Sequence, residues 1–261
     1  VGTRTPSNYG INAIKAIVSN LTKERFTIIS GLAEGVDGIS HRICLNNNGR
    51  TIAVLAHGLD MIYPKKNEEL ANKILEKGGT LISEYPVGTN ADKFRFVHRN
   101  RIVSGLSKGV LMIEAKEKSG TKHTINYAEE QNKPIFCPSF NKFSEVSGLN
   151  IELLSKNKAI PIYGSDDYVK ILDELGYKVK YDDRMKNRIK SNSINKLIND
   201  SLSNINININ QFKVGDGNLG IKVNRETYIK FKEILKSNDI TVKEFFNSII
   251  NKVVEDNEGG K

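Results

Sequence analysis

The fold is decided by the stretch Thr51-Ile52-Ala53-Val54-Leu55-Ala56-His57-Gly58. Its first five residues are apolar or β-branched, and a small Gly-containing turn follows them. A continuous apolar run, rather than an alternating one, is typical of a strand buried on both faces. Similar runs recur along the first half of the chain and end in short polar or Gly-containing loops; they cover residues 26–29, 80–82, 109–113 and 133–137.

Segments with helical spacing separate these runs. Residues 10–21 and 68–77 repeat their apolar side chains three and four positions apart, which predicts amphipathic helices. Strands and helices in alternation predict a parallel sheet with both faces covered. We therefore predict an α/β fold of the Rossmann-like, doubly wound type with a mainly parallel sheet. We place this domain in residues 1–175, with residues 141–175 as its closing edge and a first strand that is cut into at Val1.

The second half of the chain has a different composition. Residues 176–218 are rich in Asn, Ser and Lys. The Ile-Asn alternation of residues 205–210 has the period of a strand, but the composition favours a linker. Residues 219–256 predict a small strand-helix-helix unit, in which Thr241 and Glu244 form a capping box before the second amphipathic helix.

Charge and composition restrict the classes of partner and location. The 261 residues carry a formal net charge of +9, which mildly favours a polyanionic partner. No apolar run reaches the roughly 18 residues that a membrane span needs, and no signal peptide is visible. Cys44 and Cys137 lie far apart without metal-ligand spacing. A reducing, cytoplasmic location therefore fits better than a disulfide framework.

Small loops follow nearly every predicted strand, at the sheet edge where open parallel sheets bind ligands. Backbone N–H groups of such loops approach an anion closely, and a following helix N-terminus adds partial positive charge. The best phosphate cradle consists of Ser119, Gly120 and Thr121. Further phosphate-loop candidates are Gly2, Thr3, Ser30, Gly31 and Gly35. The Gly-rich loops lack the spacing of a dinucleotide fingerprint or a P-loop, so we predict no cofactor.

Residues 95–107 contain a cluster of basic side chains around one aromatic residue. Arg95, Arg99 and Arg101 lie close in sequence to Phe96. Guanidinium groups bind phosphate oxygens in a bidentate way, and an exposed aromatic ring offers a base a stacking partner. A solvated basic face at the start of a helix is the alternative interpretation of such a charge run. The loops predicted at the same sheet edge favour an anion-binding site.

Catalytic and metal-binding patterns are weak. None of the four histidines has metal-ligand spacing with another ligand. His41 follows Asp37 by one helical turn, which is more often a hydrogen bond on a helix face than a catalytic pair. Glu114 ends a strand near the predicted site, where it is expected to orient loop amides rather than act as a general base. We predict a binding protein with no catalytic residue, no metal and no cofactor.

These motifs, in sequence order, resemble the DNA-processing protein A (DprA/Smf) family. The resemblance extends over roughly residues 1–140. It rests on residues 1–4, 30–37, 49–55, Tyr63 and Pro64 with Asn67, 83–86, Phe96 with 99–107, and Glu114 and Ala115 with 119–121.

The resemblance implies binding of single-stranded DNA in a basic pocket, formation of a homodimer, and a role in DNA uptake. In that role the protein would protect the strand and load a RecA-type recombinase. By position, it implies phosphate or structural contacts for Arg4, Arg99 and Arg101, and base stacking for Phe96. It also implies backbone contacts from Ser119, Gly120 and Thr121, with Lys122 or Lys116 as a nearby cation.

The chain departs from the family pattern in the basic cluster and in the C-terminal unit, among other places. Val97 and His98 stand where family members usually carry Pro and a basic residue. The unit at 219–256 resembles ribbon-helix-helix proteins rather than the winged helix that is frequent in the family. In that arrangement Lys222 and Asn224 would face DNA, and a small dimerisation module is the alternative.

Two other functions fit parts of the sequence. One is a nucleotide-binding or nucleotide-processing enzyme of the lysine-decarboxylase-like group, although residues 118–121 replace that group's Pro-Gly-Gly-Gly-x-Gly-Thr loop. The other is a DNA-binding regulator of a mobile element, in which the C-terminal unit dominates.

Overall fold

The computed structural model describes residues 1–139 and 146–177, in which helices and strands alternate along the chain. The α-helices are α1 (Asn8–Lys23), α2 (Val36–Asn46), α3 (Glu68–Glu76), α4 (Lys93–Gly105), α5 (Thr121–Glu130), α6 (Gly148–Ser155) and α7 (Tyr168–Glu174). The strands are β1 (Ile28–Ser30), β2 (Thr51–Val54), β3 (Thr80–Ile82), β4 (Val110–Leu111), β5 (Ile135–Pro138) and β6 (Ile160–Ile162). Short 3-10 helices cover Lys65–Asn67 and Ser165–Asp167.

The six strands pair as two parallel three-stranded sheets. One has the order β1-β2-β3, and the other has the order β4-β5-β6. Ala53 of β2 stands opposite Ser30 on one side and Leu81 on the other, while Phe136 of β5 stands opposite Leu111 and Ile160. The predicted α/β class and parallel strand direction are therefore confirmed.

The N-terminal residues run alongside β4 in the parallel direction. The Val1 nitrogen donates to Leu111 O at 3.0 Å, and Ile113 N donates to Val1 O at 3.0 Å. A cavity of about 420 Å³ lies between this segment, β1 and β4, and residues of both strands line it. The strands therefore form two half-sheets that border a cavity, where the sequence predicted one sheet.

Apolar stripes on the helices explain how the sheets are covered. Helix α1 begins after Ser7, whose Oγ accepts from Gly10 N at 3.2 Å, and it buries Ile17 and Leu21 against Phe136. Helix α3 buries Leu70 and other residues against the β2 side of its sheet. Both helices agree with the predicted 3.6-residue spacing, and both leave the carboxyl ends of the strands open.

The strand β6 was predicted only as part of a closing edge. Pro161 lies at its centre, and β6 pairs with β5 alone. Proline cannot donate to a neighbouring strand and is therefore confined to such edge positions.

No helix in residues 1–139 and 146–177 is long and apolar enough to cross a membrane. The predicted unit at 219–256 and all but the first two residues of the predicted linker at 176–218 lie outside the described residues.

Candidate nucleic-acid interface

A cleft of about 1110 Å³ opens where the strands end. Its lining comes from residues 1–4, from the start of α4, and from the loop and first turns of α5 at 116–124. Six lysine and arginine side chains line it, against three carboxylates. Two of these carboxylates are engaged locally, since Asp37 accepts from Gly31 N and Asp92 accepts from Phe94 N and Arg95 N. The cleft is therefore a basic site.

Most of the predicted site residues lie together in this cleft. The lining includes Gly2, Thr3, Arg4, Phe96, Arg99, Ser119, Gly120, Thr121 and Lys122. Segments more than 110 residues apart in sequence therefore meet at one place, as the rule for the carboxyl ends of parallel strands predicts. Arg101, Ser30, Gly31 and Gly35 are not among the residues that line it.

The loop before α5 has the geometry of an anion cradle. Gly120 is the N-cap of this helix and makes no side-chain cap bond, and a Cβ added there would meet nothing within 4 Å. The Ser119 Oγ is buried and finds no hydrogen-bond partner among the described residues. A buried hydroxyl without a partner costs free energy, which an acceptor bound beside the helix N-terminus would recover.

Three lysines lie on or next to this cradle. Lys122 Nζ lies 3.2 Å from Glu152 Oε2, so part of its charge is already compensated. The same carboxylate binds Lys156, and hydrogen bonds from Lys156 and Lys122 lower the pKa of Glu152. Lys116 and Lys118 are exposed on the loop itself. The loop therefore supplies positive charge from several directions around Ser119.

Phe96 lines the same cleft and is half-buried. The Arg4 guanidinium carbon is 5.8 Å from its ring centroid, and that of Arg99 is 5.9 Å away. The Tyr63 ring lies 5.7 Å from the Phe96 ring, tilted by 48°. The structure therefore brings Arg4 and Phe96 together as predicted, and it adds Tyr63. Sequence reasoning gave Tyr63 no role, because the exposure of its side chain and its proximity to Phe96 are visible only in the structure.

Arg99 makes structural contacts, which is one of the two roles, phosphate or structural contact, that the resemblance implied for it. It is only 3% exposed, and its Nη1 donates to Gly31 O at 2.6 Å and to Val54 O. These carbonyls end β1 and β2, so the guanidinium joins the ends of two strands beneath the cleft. Burial lowers the pKa of Arg99, while the nearby Asp37 carboxylate acts in the opposite direction.

Arg101 does not line the cleft and is engaged in an ion pair instead. Its Nη2 pairs with Glu84, and its Nε lies 3.4 Å from His98 Nε2. His98 Nδ1 is in turn 3.1 Å from Glu84 Oε1. Helical geometry explains the separation, since two positions along a helix place side chains on different faces.

Three of the predicted phosphate-loop residues do not line the cleft and are packed against other parts of the chain. Ser30 and Gly31 are buried, and a Cβ at Gly31 would overlap the Arg99 guanidinium. Gly35 has a φ of 71°, which favours glycine, and a Cβ there would overlap the backbone of Thr3 and Arg4. These glycines let other chain segments approach closely and do not face the cleft.

Two buried titratable side chains, Glu114 and His41, form hydrogen bonds within the fold. Glu114 is fully buried and accepts from Ser7 N at 2.8 Å and from Ser7 Oγ at 2.5 Å, so it orients the start of α1. His41 pairs with Thr51 Oγ1 at 2.7 Å, where the sequence suggested a bond to Asp37. Among the described residues, no group of three or more His, Cys, Asp or Glu side chains is placed to hold a metal.

The fold and the cleft define a Rossmann-like α/β protein with a basic cleft at the carboxyl edge of its strands. The sequence model of one family, the DNA recombination-mediator protein A family, matches residues 1–173. The chain belongs to this family.

Two relatives show the extent of the similarity. The chain is 42% identical to protein Smf from Synechocystis, over 68% of this chain and 48% of that protein. It is 38% identical to the DNA processing protein DprA from Bacillus subtilis, over 67% of this chain and 58% of that protein. The chain therefore spans about half the length of these curated relatives.

Two solved structures of DNA processing protein A are also similar to this chain. DNA processing protein A from Helicobacter pylori, described for its single-stranded DNA binding mode, matches with a TM-score of 0.59 and 32% identity, over 67% of this chain and 78% of that one. DprA from Streptococcus pneumoniae matches with a TM-score of 0.57 and 32% identity, over 69% and 61% of the two chains.

Proposed function

We propose that the cleft binds single-stranded DNA, with a phosphate at the Ser119–Thr121 cradle and a base at Phe96. The observation that carries this proposal is the unpartnered, buried Ser119 Oγ at an uncapped helix N-terminus, in the same cleft as Phe96. An anion supplies the missing partner, and the aromatic ring supplies the surface that a base requires.

The aromatic residue favours a single strand over a duplex. Bases in a duplex are stacked on their neighbours and present only their edges in the grooves. A base reaches the Phe96 ring only when it is unstacked, which costs little in a single strand. The H. pylori relative, which is described as binding single-stranded DNA, supports the same substrate here.

Binding, rather than a chemical step, is the activity that we propose. Glu114 is the buried carboxylate closest in sequence to the cradle, and Ser7 occupies both of its oxygens. The site residues in this proposal are hydrogen-bond donors, cations and an aromatic ring. Such groups hold a strand in place without the nucleophile and base that hydrolysis needs.

The wider role is part of the same proposal. As a member of the DNA recombination-mediator protein A family, the protein acts in DNA processing during uptake, as a homodimer that protects the incoming strand. It then transfers that strand to a RecA-type recombinase. The relatives' names support DNA processing, whereas the homodimer and the recombinase come from the resemblance alone, and strand binding is argued from the cleft.

Fluorescence anisotropy with labelled oligothymidylate and a duplex of equal length tests strand binding. We expect the single strand to bind more tightly. If the cleft makes about three phosphate contacts, affinity falls about 20-fold between about 50 mM and 200 mM salt. We expect Phe96→Ala to weaken binding about tenfold at both salt concentrations, since stacking is lost while phosphate contacts remain.

Phe94→Ala is the matched control, because Phe94 lies on the same helix, is 84% exposed and does not line the cleft. It should bind like the wild type. Equal affinities of the Phe96 and Phe94 variants, or equal affinities for single and double strands, would contradict the proposal.

A further inference from the structure

The open aromatic surface of the cleft belongs to Tyr63 rather than to Phe96. Tyr63 lines the cleft and is 51% exposed, whereas Phe96 is half-buried. Their ring centroids are 5.7 Å apart. The sequence predicted base stacking on Phe96 alone. The surroundings of the two rings in the structure show which of them is accessible to a base.

Two guanidinium groups lie close to the Phe96 ring. A base between Arg4 and Phe96 would need two contact layers of about 3.5 Å each, or about 7 Å in total. The Arg4 guanidinium carbon lies only 5.8 Å from the ring centroid, and that of Arg99 lies at 5.9 Å. Stacking on the face that Arg4 covers therefore requires Arg4 to move, whereas half of the Tyr63 side chain is already accessible.

Hydrogen bonds hold the backbone of Tyr63 in place although its side chain is exposed. Tyr63 N donates to His57 Nε2 at 3.2 Å, and His57 Nδ1 donates to Gly58 O at 2.9 Å. Ser83 Oγ donates to His57 O at 2.6 Å. His57 is 1% exposed, so this arrangement is part of the core. A ring on a fixed backbone loses little conformational entropy when a base stacks on it.

The angle between the two rings favours a bent strand. Stacked bases in a duplex are parallel, but the Tyr63 and Phe96 rings are tilted by 48° to each other. Two bases that each stack on one of these rings cannot remain parallel. Only a flexible single strand adopts that arrangement at low cost.

We propose that Tyr63 is a second base-stacking residue, so that the cleft takes two adjacent, splayed bases of one strand on Tyr63 and Phe96. This inference rests on the proposed single-strand binding and specifies its base subsites. Arg4 then leaves the Phe96 ring when the strand enters and is free to meet a phosphate.

The test compares oligothymidylate with an abasic oligonucleotide of equal length, which keeps the phosphates and removes the bases. Affinities of the full chain for both are measured by anisotropy for the wild type, Tyr63→Leu, Tyr63→Phe and Phe96→Leu. We expect Tyr63→Leu to bind oligothymidylate about tenfold more weakly, and Tyr63→Phe to stay within about twofold of the wild type. Affinity for the abasic strand should not change in either variant.

Tyr177→Leu is the control for loss of an exposed tyrosine, since Tyr177 is 40% exposed and does not line the cleft. If Tyr63→Leu binds oligothymidylate like the wild type while Phe96→Leu binds weakly, the second stacking site is wrong and the proposed function stands. If Tyr63→Leu and Tyr63→Phe lose the same affinity for oligothymidylate, the second stacking site is also wrong, because the aromatic ring that Tyr63→Phe retains then does not contribute to binding. A wild type without preference for bases overturns both proposals.

Discussion

Arg99 and Arg101 lie two positions apart on α4, and their guanidinium groups meet different surroundings. Arg99 is buried and joins the carbonyls of Gly31 and Val54 at the ends of two strands. Arg101 pairs with Glu84 at the surface. A buried charged donor that satisfies two carbonyls contributes to stability, whereas a surface ion pair contributes little. Of the two arginines, only Arg99 therefore contributes to the shape of the cleft; Arg101 does not.

Replacement of each arginine by methionine measures this difference. We expect Arg99→Met to lower the free energy of unfolding by about 3 kcal/mol, because two buried carbonyls lose their donor. Arg101→Met, the matched control, should lower it by less than about 1 kcal/mol. Urea unfolding followed by circular dichroism gives both values. Equal stability of the two variants would show that Arg99 does not support the strand ends.

At the scale of elements, His41 connects helix α2 to strand β2. Thr51 Oγ1 donates to Ile28 O, so it accepts from His41 Nδ1 and fixes the neutral tautomer. His41 Nε2 is buried and has no partner among the described residues. Burial lowers the pKa of His41 to about 4, and the Asp37 carboxylate only partly opposes this effect.

This depressed pKa makes the packing of α2 sensitive to acid. The unfolded chain binds a proton at His41 near pH 6.5, while the folded chain does so only near pH 4. The stability from neutral His41 is complete above about pH 6.5 and is lost as the pH falls towards 4. Between about pH 7 and pH 4.5 we expect a loss of about 2 kcal/mol from this group.

Urea unfolding at both pH values, in the wild type and in His41→Gln, tests this expectation. The variant should be less stable at neutral pH and should change less with pH, because the titrating group is gone. His123→Gln, at an exposed position on α5, controls for the loss of a histidine as such. If His41→Gln kept the pH dependence of the wild type, His41 would not be the group that causes the loss of stability in acid.

The elements themselves were largely predictable from local sequence. Continuous apolar runs located five strands, although only β2 and β5 are buried along most of their length. The rule for the carboxyl ends of strands then placed Ser119, Gly120 and Thr121 correctly in the cleft. The role of Arg99 was not predictable, since the same donors bind phosphate oxygens and backbone carbonyls. Tyr63 was missed because neither its exposure nor its proximity to Phe96 leaves a local sequence pattern.

At the scale of the whole molecule, the described residues that line the cleft all lie within residues 1–126. We therefore predict that a chain ending at residue 212 keeps its affinity for oligothymidylate. Any affinity for duplex DNA that depends on the predicted unit at 219–256 should be lost in the same chain. Anisotropy with both DNA forms, at one salt concentration, measures the two effects separately.

Two outcomes of this truncation carry different conclusions. If single-strand affinity falls with the C-terminal residues removed, the cleft is not sufficient and the strand contacts more of the chain. If duplex affinity is unchanged, the C-terminal unit is not a duplex-binding module, and the ribbon-helix-helix prediction for it is wrong.

The hydrogen bond from Arg99 to the Gly31 carbonyl also determines when the strand ends are completed during translation. The two residues are 68 positions apart in sequence, so the ribosome completes β1 long before it adds the side chain that satisfies the Gly31 carbonyl. Contacts of such separation form late, because a long loop must close first. During elongation, the strand ends beneath the cleft therefore remain without their donor until α4 emerges, and a nascent chain stopped before α4 lacks both this donor and the Phe96 ring.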